Sequence, residues 1–438
     1  MIKALKQLRA IPIFLASLEI WPVALCIAAS IASERALPLA LAVPGAFLLI
    51  RLLAYGRLTV RTPADWAVAL FLLMLPVTLW ATALPDITRP QVYRILTGIA
   101  LYYAIVNWTT TLQRFRLLLV GNLIAGISLA LIAPLSVKWI VDKLTFLPPS
   151  LYERFSLLLF DTIHSNVMAG QLVILLPPAL GLLLFSWQRL NWLERIVAGM
   201  AALFMSSVLL LTQSRGGLMA FGASLLMLIV LRWRRSWLLL PICAVIGAIA
   251  VPSVGITAIL DVLTSNVTFR GIDGRLELWS RALYMIQDFP FTGIGMGLYT
   301  EIADVFYPFF LTTSSAAPHA HNLFLQVAVD LGIPGVVAWL AILMLVVTGA
   351  WQLYRHGRVT GDGWVAGIGA GLLCSQVALM THGLTDAVTW GIVRAAPIVW
   401  GLWGLTIAAW QVLVVESVKS SPITDNTSKE NHAARVYM

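Results

Sequence analysis

Apolar runs close to 20 residues long recur along this chain, separated by short segments that are basic or mixed in charge. A run of about 20 apolar residues is what a helix needs to cross the hydrocarbon of a bilayer. Twelve can be placed, at 11–31, 37–54, 66–84, 91–108, 117–135, 166–186, 196–212, 217–231, 237–256, 322–350, 365–383 and 391–413. The tenth exceeds what a span needs, so it starts outside the hydrocarbon or tilts. Between the ninth and tenth runs the pattern breaks for a long polar excursion, 257–321, and a shorter one lies near 136–165. Inside the long excursion the spacing predicts a helix over Asp273–Gln287. Asp273 is placed to N-cap it, and Leu276, Trp279, Leu283 and Ile286 make one apolar face. Pro290 ends that helix and glycines follow. Such an amphipathic helix beside a bilayer is expected to lie in the interface. The pattern therefore predicts an all-α polytopic membrane protein. Nine spans lie within 1–256, the large loop at 257–321, three spans within 322–413, and a polar, disordered tail at 414–438.

Charge orients these spans. The chain has 438 residues, of which 60% are hydrophobic and 11% charged. A soluble domain carries about 25% charged residues. With the N-terminus inside, every short inner segment is basic: Lys3, Lys6, Arg9; Arg51, Arg57, Arg61; Arg114, Arg116; Arg189, Arg195; Arg232, Arg234, Arg235; Arg355, Arg358; and Lys419, Lys429, Arg435 in the tail. By the positive-inside rule both termini are cytoplasmic, and both long loops face the other side. Trp66, Trp108, Trp187, Trp192, Trp233, Trp237, Trp351, Trp364 and Trp390 fall near span ends, where an aromatic belt anchors helices. Cys26, Cys243 and Cys374 sit in apolar runs without metal or disulfide spacing. No Walker loop, GxGxxG turn, HExxH or DxD pair is present. That argues against a nucleotide-driven pump and a nucleotide-sugar transferase. Neither a cofactor, a metal nor a nucleic-acid partner is expected.

The candidate chemistry gathers at the outer face. Arg215, in Thr212-Gln213-Ser214-Arg215-Gly216-Gly217, stands at the outer start of a span. A guanidinium, two glycine N–H groups and a helix N-terminus together make a phosphate clamp. A snorkelling arginine is the plainer reading. Arg275 opens the loop helix and can bind phosphate oxygens bidentately, or simply pair with Asp273 or Glu277. His319 and His321 precede Asn322 at the return to the membrane. Either imidazole can accept a proton near neutral pH, and Asn322 can orient it or bind a sugar hydroxyl. One of the two is expected to act, and the sequence leaves open which, because residues two apart on a helix face different ways. His164, Asn166, His382 and Asp386 stand at outer span ends and can line the same cavity, or act as caps. Asp330 lies within a span, where a carboxylate is a functional suspect, although Gly332, Pro334 and Gly335 make a kink an equal reading. Glu19 in the first span has no assigned role.

Several of these segments resemble the O-antigen ligase/polymerase superfamily. They are Arg275–Trp279, the Pro290–Gly297 glycine turn, His321-Asn322 with Gln326, Gly332-Ile333-Pro334-Gly335, Thr212–Gly217, and His164 with Asn166 and Ala169-Gly170. The motifs cover roughly 160–350. Asp330 stands where the family pattern often has Glu, and His319 is an extra histidine. The resemblance implies a glycosyltransferase of the GT-C type in the bacterial inner membrane. It would work on the periplasmic side, by inversion, without a metal. Its donor would be a polysaccharide on undecaprenyl diphosphate. The acceptor would be a sugar of lipid A–core in the ligase branch, a lipid-linked repeat in the polymerase branch, or a protein hydroxyl in a third. Twelve spans with one dominant outer loop favour the ligase branch. Arg215 and Arg275 would then hold the diphosphate, and His321 or His319 would act as base. The rivals from other classes are a transporter or flippase for an anionic lipid or solute, and a scaffold without chemistry.

Overall fold

The computed structural model describes residues 2–139, 150–153, 162–238, 241–242, 245, 272–311 and 318–415. It is helical almost throughout. In chain order the helices are α1 (Ile2–Ser17), α2 (Ile20–Ala32), α3 (Leu37–Tyr55), α4 (Asp65–Ala81), α5 (Pro85–Trp108), α6 (Leu112–Ser136), α7 (Ser150–Glu153), α8 (Ser165–Ser186), α9 (Trp192–Leu211) and α10 (Arg215–Arg232). They continue with α11 (Ile272–Asp288), α12 (Tyr299–Phe306), α13 (Leu323–Thr360), α14 (Gly363–Gly383) and α15 (Pro397–Trp410). Two short strands, β1 (Val137–Lys138) and β2 (Ile163–His164), pair in parallel just before α8.

Eight of the described helices are long and apolar enough to cross a membrane, or nine if α1 and α2, which meet at a 45° bend, form one span. The chain is a multi-pass membrane protein. The third and fourth expected spans are helical but fall short by length or composition. α4 has 17 residues, and α5 carries Asp86, Arg89 and Arg94. Most of the expected ninth span, 237–256, most of the loop before α11, and the tail from 416 lie outside the described residues.

The helices divide into a buried centre and a greasy periphery. The apolar windows of α8 and α14 are 78% and 83% buried, against 28% for α6, α9 and α10. Small residues let α8 and α14 touch backbone to backbone. A Cβ on Gly181 would stand 2.3 Å from the Gly367 carbonyl oxygen, and one on Gly371 2.6 Å from Pro178 Cα. Tryptophan burial corrects part of the belt reading. Trp66 and Trp192 are well exposed, but Trp108, Trp364 and Trp390 are interior side chains.

A straight helix of 38 residues would run about 57 Å, nearly twice a bilayer core. α13 solves this with a break at Gly332, whose φ of 70° and ψ of −178° are not helical. The glycine turn that follows α11 fills the break. Ile294 N–H donates to the Val329 carbonyl (2.9 Å), and Ile333 N–H donates to the Pro290 carbonyl (2.7 Å). A Cβ on Gly332 would meet the Phe291 backbone at 2.7 Å, so both the positive φ and the close approach require glycine there.

α11 matches the helix expected from spacing, one residue longer at each end. Two details differ. Asp273 lies inside the first turn and is not the cap. The buried face is Leu278, Ala282 and Met285, while Leu276 and Leu283 stay about half exposed. α11 carries two apolar stripes, and the glycine turn and α12 cover this one. Its cluster includes Ile294, Leu298, Tyr299, Ala303, Ala320 and Val329, which fastens α11 over the first turns of α13.

Candidate active site

The site forms where α8, α10, α11, α13 and the segment after α14 come together. At its centre is Asp386, only 4% exposed. Asn166, in the first turn of α8, donates from Nδ2 to Asp386 Oδ2 (3.0 Å). The other oxygen, Oδ1, accepts the Ala387 N–H (2.9 Å) and faces both histidines. His319 Nε2 lies 3.4 Å from it and His321 Nδ1 3.5 Å. The two imidazole rings are 4.2 Å apart. Both reach one carboxylate because they do not share a helix. His321 has a φ of 47°, a left-handed turn that folds the chain before α13 starts. The rings therefore do not diverge as residues two apart on a helix would. Left-handed backbone costs a non-glycine residue about 1–2 kcal/mol, and histidine is among the residues enriched there.

The turn also fixes where protons sit. The His321 N–H donates to His319 Nδ1 (3.1 Å). Nδ1 of His319 therefore carries the lone pair, and the ring proton is on Nε2, toward Asp386. Burial, with His321 beside it, pushes the His319 pKa down to about 3, so this ring is neutral and a weak base. Asp386 stays ionised: burial pushes its pKa up, but the facing His321, His319 and His382 outweigh that and hold it below the usual carboxylate range. His321 turns Nδ1 toward the anion, so its other nitrogen, Nε2, is the one suited to take a proton.

His319, His321 and Asp386 are also a conceivable metal set, since their ligand atoms lie within 4.8 Å of one another. The tautomer opposes it. A metal-bound histidine normally donates its second N–H to an acceptor. Here His319 Nδ1 faces an N–H donor, and the nitrogen toward the set bears the proton. In this tautomer His319 does not offer Nε2 as a metal ligand.

Arg275, in the first turn of α11, is 7% exposed and donates from Nη1 to the Thr385 carbonyl (2.7 Å), next to Asp386. Its Nε has no hydrogen-bond partner among the described residues. Burial lowers its pKa, Asp386 raises it, and a guanidinium remains charged through both. Arg215 opens α10. The following Gly216 lies against Thr385, where a Cβ would stand 2.3 Å from Oγ1. The start of α10 and the Arg275 side chain thus meet on the same residue. The glycine clamp loses one donor, because the Gly217 N–H is taken by the N-cap, Ser214 Oγ (3.3 Å).

The other candidates divide by what their atoms already do. Asn322 is the N-cap of α13: its Oδ1 accepts the N–H groups of Phe324 (3.0 Å) and Leu325 (3.1 Å). Its Nδ2 points to the Leu384 carbonyl at 3.4 Å. It therefore shapes the mouth and does not touch either histidine through these bonds. His164 is exposed and N-caps α8, accepting the Asn166 N–H at Nδ1 (3.2 Å). His382 is buried beside Gly170 and behind Asp386. Asp330 resolves toward the kink, because all its oxygens are engaged inside the protein. Glu19 acquires a role as the buried partner of Arg51 (3.0 Å) and Asn107 (3.2 Å). Sequence reasoning missed Thr385 and understated Asp386, whose centrality depends on contacts with residues far away in the chain.

Residues 200–340 match the family model described as O-antigen ligase. Over that region the chain is similar to that family, as the motifs it carries lead one to expect. No curated protein matches the chain. The matched region contains Arg215, Arg275, His319, His321 and Asn322, and stops before His382 and Asp386. The carboxylate that organises the histidines therefore comes from outside it.

Proposed function

We propose that this protein is a glycosyltransferase that moves a glycan from a lipid diphosphate, of the undecaprenyl type, to a sugar hydroxyl of a lipid A–core acceptor. The reaction takes place at the non-cytoplasmic face of the bacterial inner membrane. The observation that carries this is the shared carboxylate: two histidines on Asp386 Oδ1, with Arg275 gripping the adjacent Thr385 carbonyl. A base and a buried cation within one corner suit a displacement in which an alcohol attacks and an anion leaves.

In this scheme His321 Nδ1–H is held by Asp386, and Nε2 takes the proton of the acceptor hydroxyl. The oxygen attacks the anomeric carbon from the face opposite the diphosphate. The new glycosidic C–O bond forms as the C–O bond to phosphate breaks, inverting the centre, and the electron pair leaves on the diphosphate. Arg275, aided by Arg215 at the start of α10, stabilises that charge. One well-placed donor of this kind is worth roughly 2.7–4 kcal/mol. General-base assistance adds roughly 10²–10⁴ in rate. His319 stays neutral and holds the turn. The lipid tail remains in the bilayer between helices.

A polymerase of the same superfamily, which uses a second lipid-linked repeat as acceptor, or a protein-acceptor branch, would employ the same corner. A transporter needs charges along a through-path. The two deep candidates are occupied, since Glu19 pairs with Arg51 and Asp330 is bonded to Gly297, Gln326 and Trp390. The test is transfer by the purified full-length protein in lipid, with undecaprenyl-diphosphate-linked glycan and lipid A–core and neither nucleotide nor added metal. Lipid A–core of reduced gel mobility is the expected product. Longer chains on the carrier alone would make it a polymerase. No product from folded protein would overturn the transferase reading.

A further inference from the structure

The reaction scheme leaves Asp330 unused, yet this carboxylate is fully buried and completely engaged. Oδ1 accepts the Gly297 N–H (3.1 Å) and Gln326 Nε2–H (2.9 Å), and Oδ2 accepts Trp390 Nε1–H (2.7 Å). Each contact leads to a different part of the site. Gln326 uses its Oε1 to accept the Ala320 N–H (2.8 Å), and Ala320 is the residue between His319 and His321. Trp390 lies four residues after Asp386 and is braced from its other side by an edge-on contact with Phe71 at 6.1 Å. Gly297 belongs to the glycine turn that closes the break in α13.

We propose that Asp330 is the positioning residue of the His321–Asp386 pair, a single buried carboxylate that sets the histidine turn and the Asp386 segment in register with each other. This rests on the transferase reading above, in which that pair is the base. Side-chain chemistry supports a carboxylate specifically. The three groups that meet it are all donors, and the Ala320 N–H orients the Gln326 amide so that its NH2 must face Asp330. An amide in place of the carboxylate would turn an NH2 toward one of those donors. Asn166 also holds Asp386, and Asn322 Nδ2 reaches the Leu384 carbonyl at 3.4 Å, but Asp330 is the group that bonds to both Gln326 and Trp390. Ala320 sits in a left-handed turn outside α13, and the Asp386 segment lies between α14 and α15. Asp330 does not touch His321, so its effect is transmitted through Gln326 and Trp390.

The test compares full-length wild type with Asp330→Asn, Gln326→Leu and Trp390→Phe in lipid. It reads kcat and donor KM for transfer, and the rate at which diethyl pyrocarbonate modifies His321, followed by peptide mass spectrometry. Small misplacement of a reacting group costs about 10²-fold. Asp330→Asn is therefore expected to lower kcat ~10–100-fold, with donor KM within ~3-fold and faster His321 modification. Trp390→Phe removes one hydrogen bond and is expected to cost ~3–10-fold in kcat, in the same direction. If Asp330→Asn does not fold, Gln326→Leu and Trp390→Phe carry the test. Folded variants with wild-type kcat and wild-type His321 reactivity would overturn the proposal, as would a kcat loss with unchanged reactivity. The modification rate needs no glycan, so it judges Asp330 even if the protein transfers nothing, and that second result would count against the transferase reading alone.

Discussion

Two buried carboxylates occupy opposite ends of this helix bundle. Glu19 sits in the bend between α1 and α2, against Arg51 of α3 and Asn107 near the end of α5. Asp386 lies toward the other end of α5, whose Thr88, about 28 Å from Asn107 along the helix, bonds to the Met296 carbonyl of the glycine turn. At the Glu19 end a permanent cation meets the anion directly, and Asn107 Oδ1 goes on to accept the Val60 N–H. At the Asp386 end the neighbours are two imidazoles and an amide, and the nearby cation, Arg275, spends its bond on a carbonyl. The first arrangement is closed: nothing in it can move a proton without leaving a buried charge alone. The second holds an anion beside two neutral-capable imidazoles, one of them with a nitrogen turned away from it, and a guanidinium still able to donate. A buried charge marks function when its partners leave it something to do.

Substitutions at the two ends should therefore separate activity from stability. The largest effect is expected from Asp386→Asn, which removes the charge that sets the His321 tautomer. Transfer should fall by roughly 10²–10⁴ while the protein stays folded, as read by single-turnover rate and thermal unfolding. Glu19→Ala should do the reverse. Removing one partner of a buried ion pair costs about 3–5 kcal/mol, so unfolding moves to lower temperature while the specific activity of the folded fraction is kept. Arg275→Ala should lower kcat by ~10²–10³, with the loss greatest for the diphosphate-leaving step. The smallest effect concerns pH. His319 has a pKa of about 3 in the fold against 6.5 as the ordinary value. Between those values the unfolded chain binds more protons, so stability rises with pH across that window and is lost as pH falls through it. His319→Gln should flatten this part of the stability–pH curve by removing one titrating group, as urea unfolding at pH 4, 5 and 7 would show.

What the sequence disclosed follows physical range. Long apolar runs and basic inner loops are local signals, and they announce a multi-pass helical protein. The α11 helix was equally legible, but its buried face was not. Leu276-Leu283 and Leu278-Met285 are both apolar stripes, and only the packing of Tyr299 and Ala320 selects the second. The histidine pair was visible as a local motif, whereas its acceptance by one carboxylate depends on a left-handed turn at His321 that no propensity would announce. Asn166 meets Asp386 across 220 residues of chain, and Trp390 meets Asp330 across 60. Trp390 consequently looked like a belt tryptophan. Glu19 looked unexplained for the same reason, since its partner is 32 residues away on another helix.

The central claim is that His321 is the base and His319 its support. Single-turnover transfer by His321→Gln and His319→Gln, measured side by side at saturating donor, tests it most directly. The account predicts a loss of ~10²–10⁴ for His321→Gln and less than ~10-fold for His319→Gln. Equal losses, or the larger loss at His319, would contradict it.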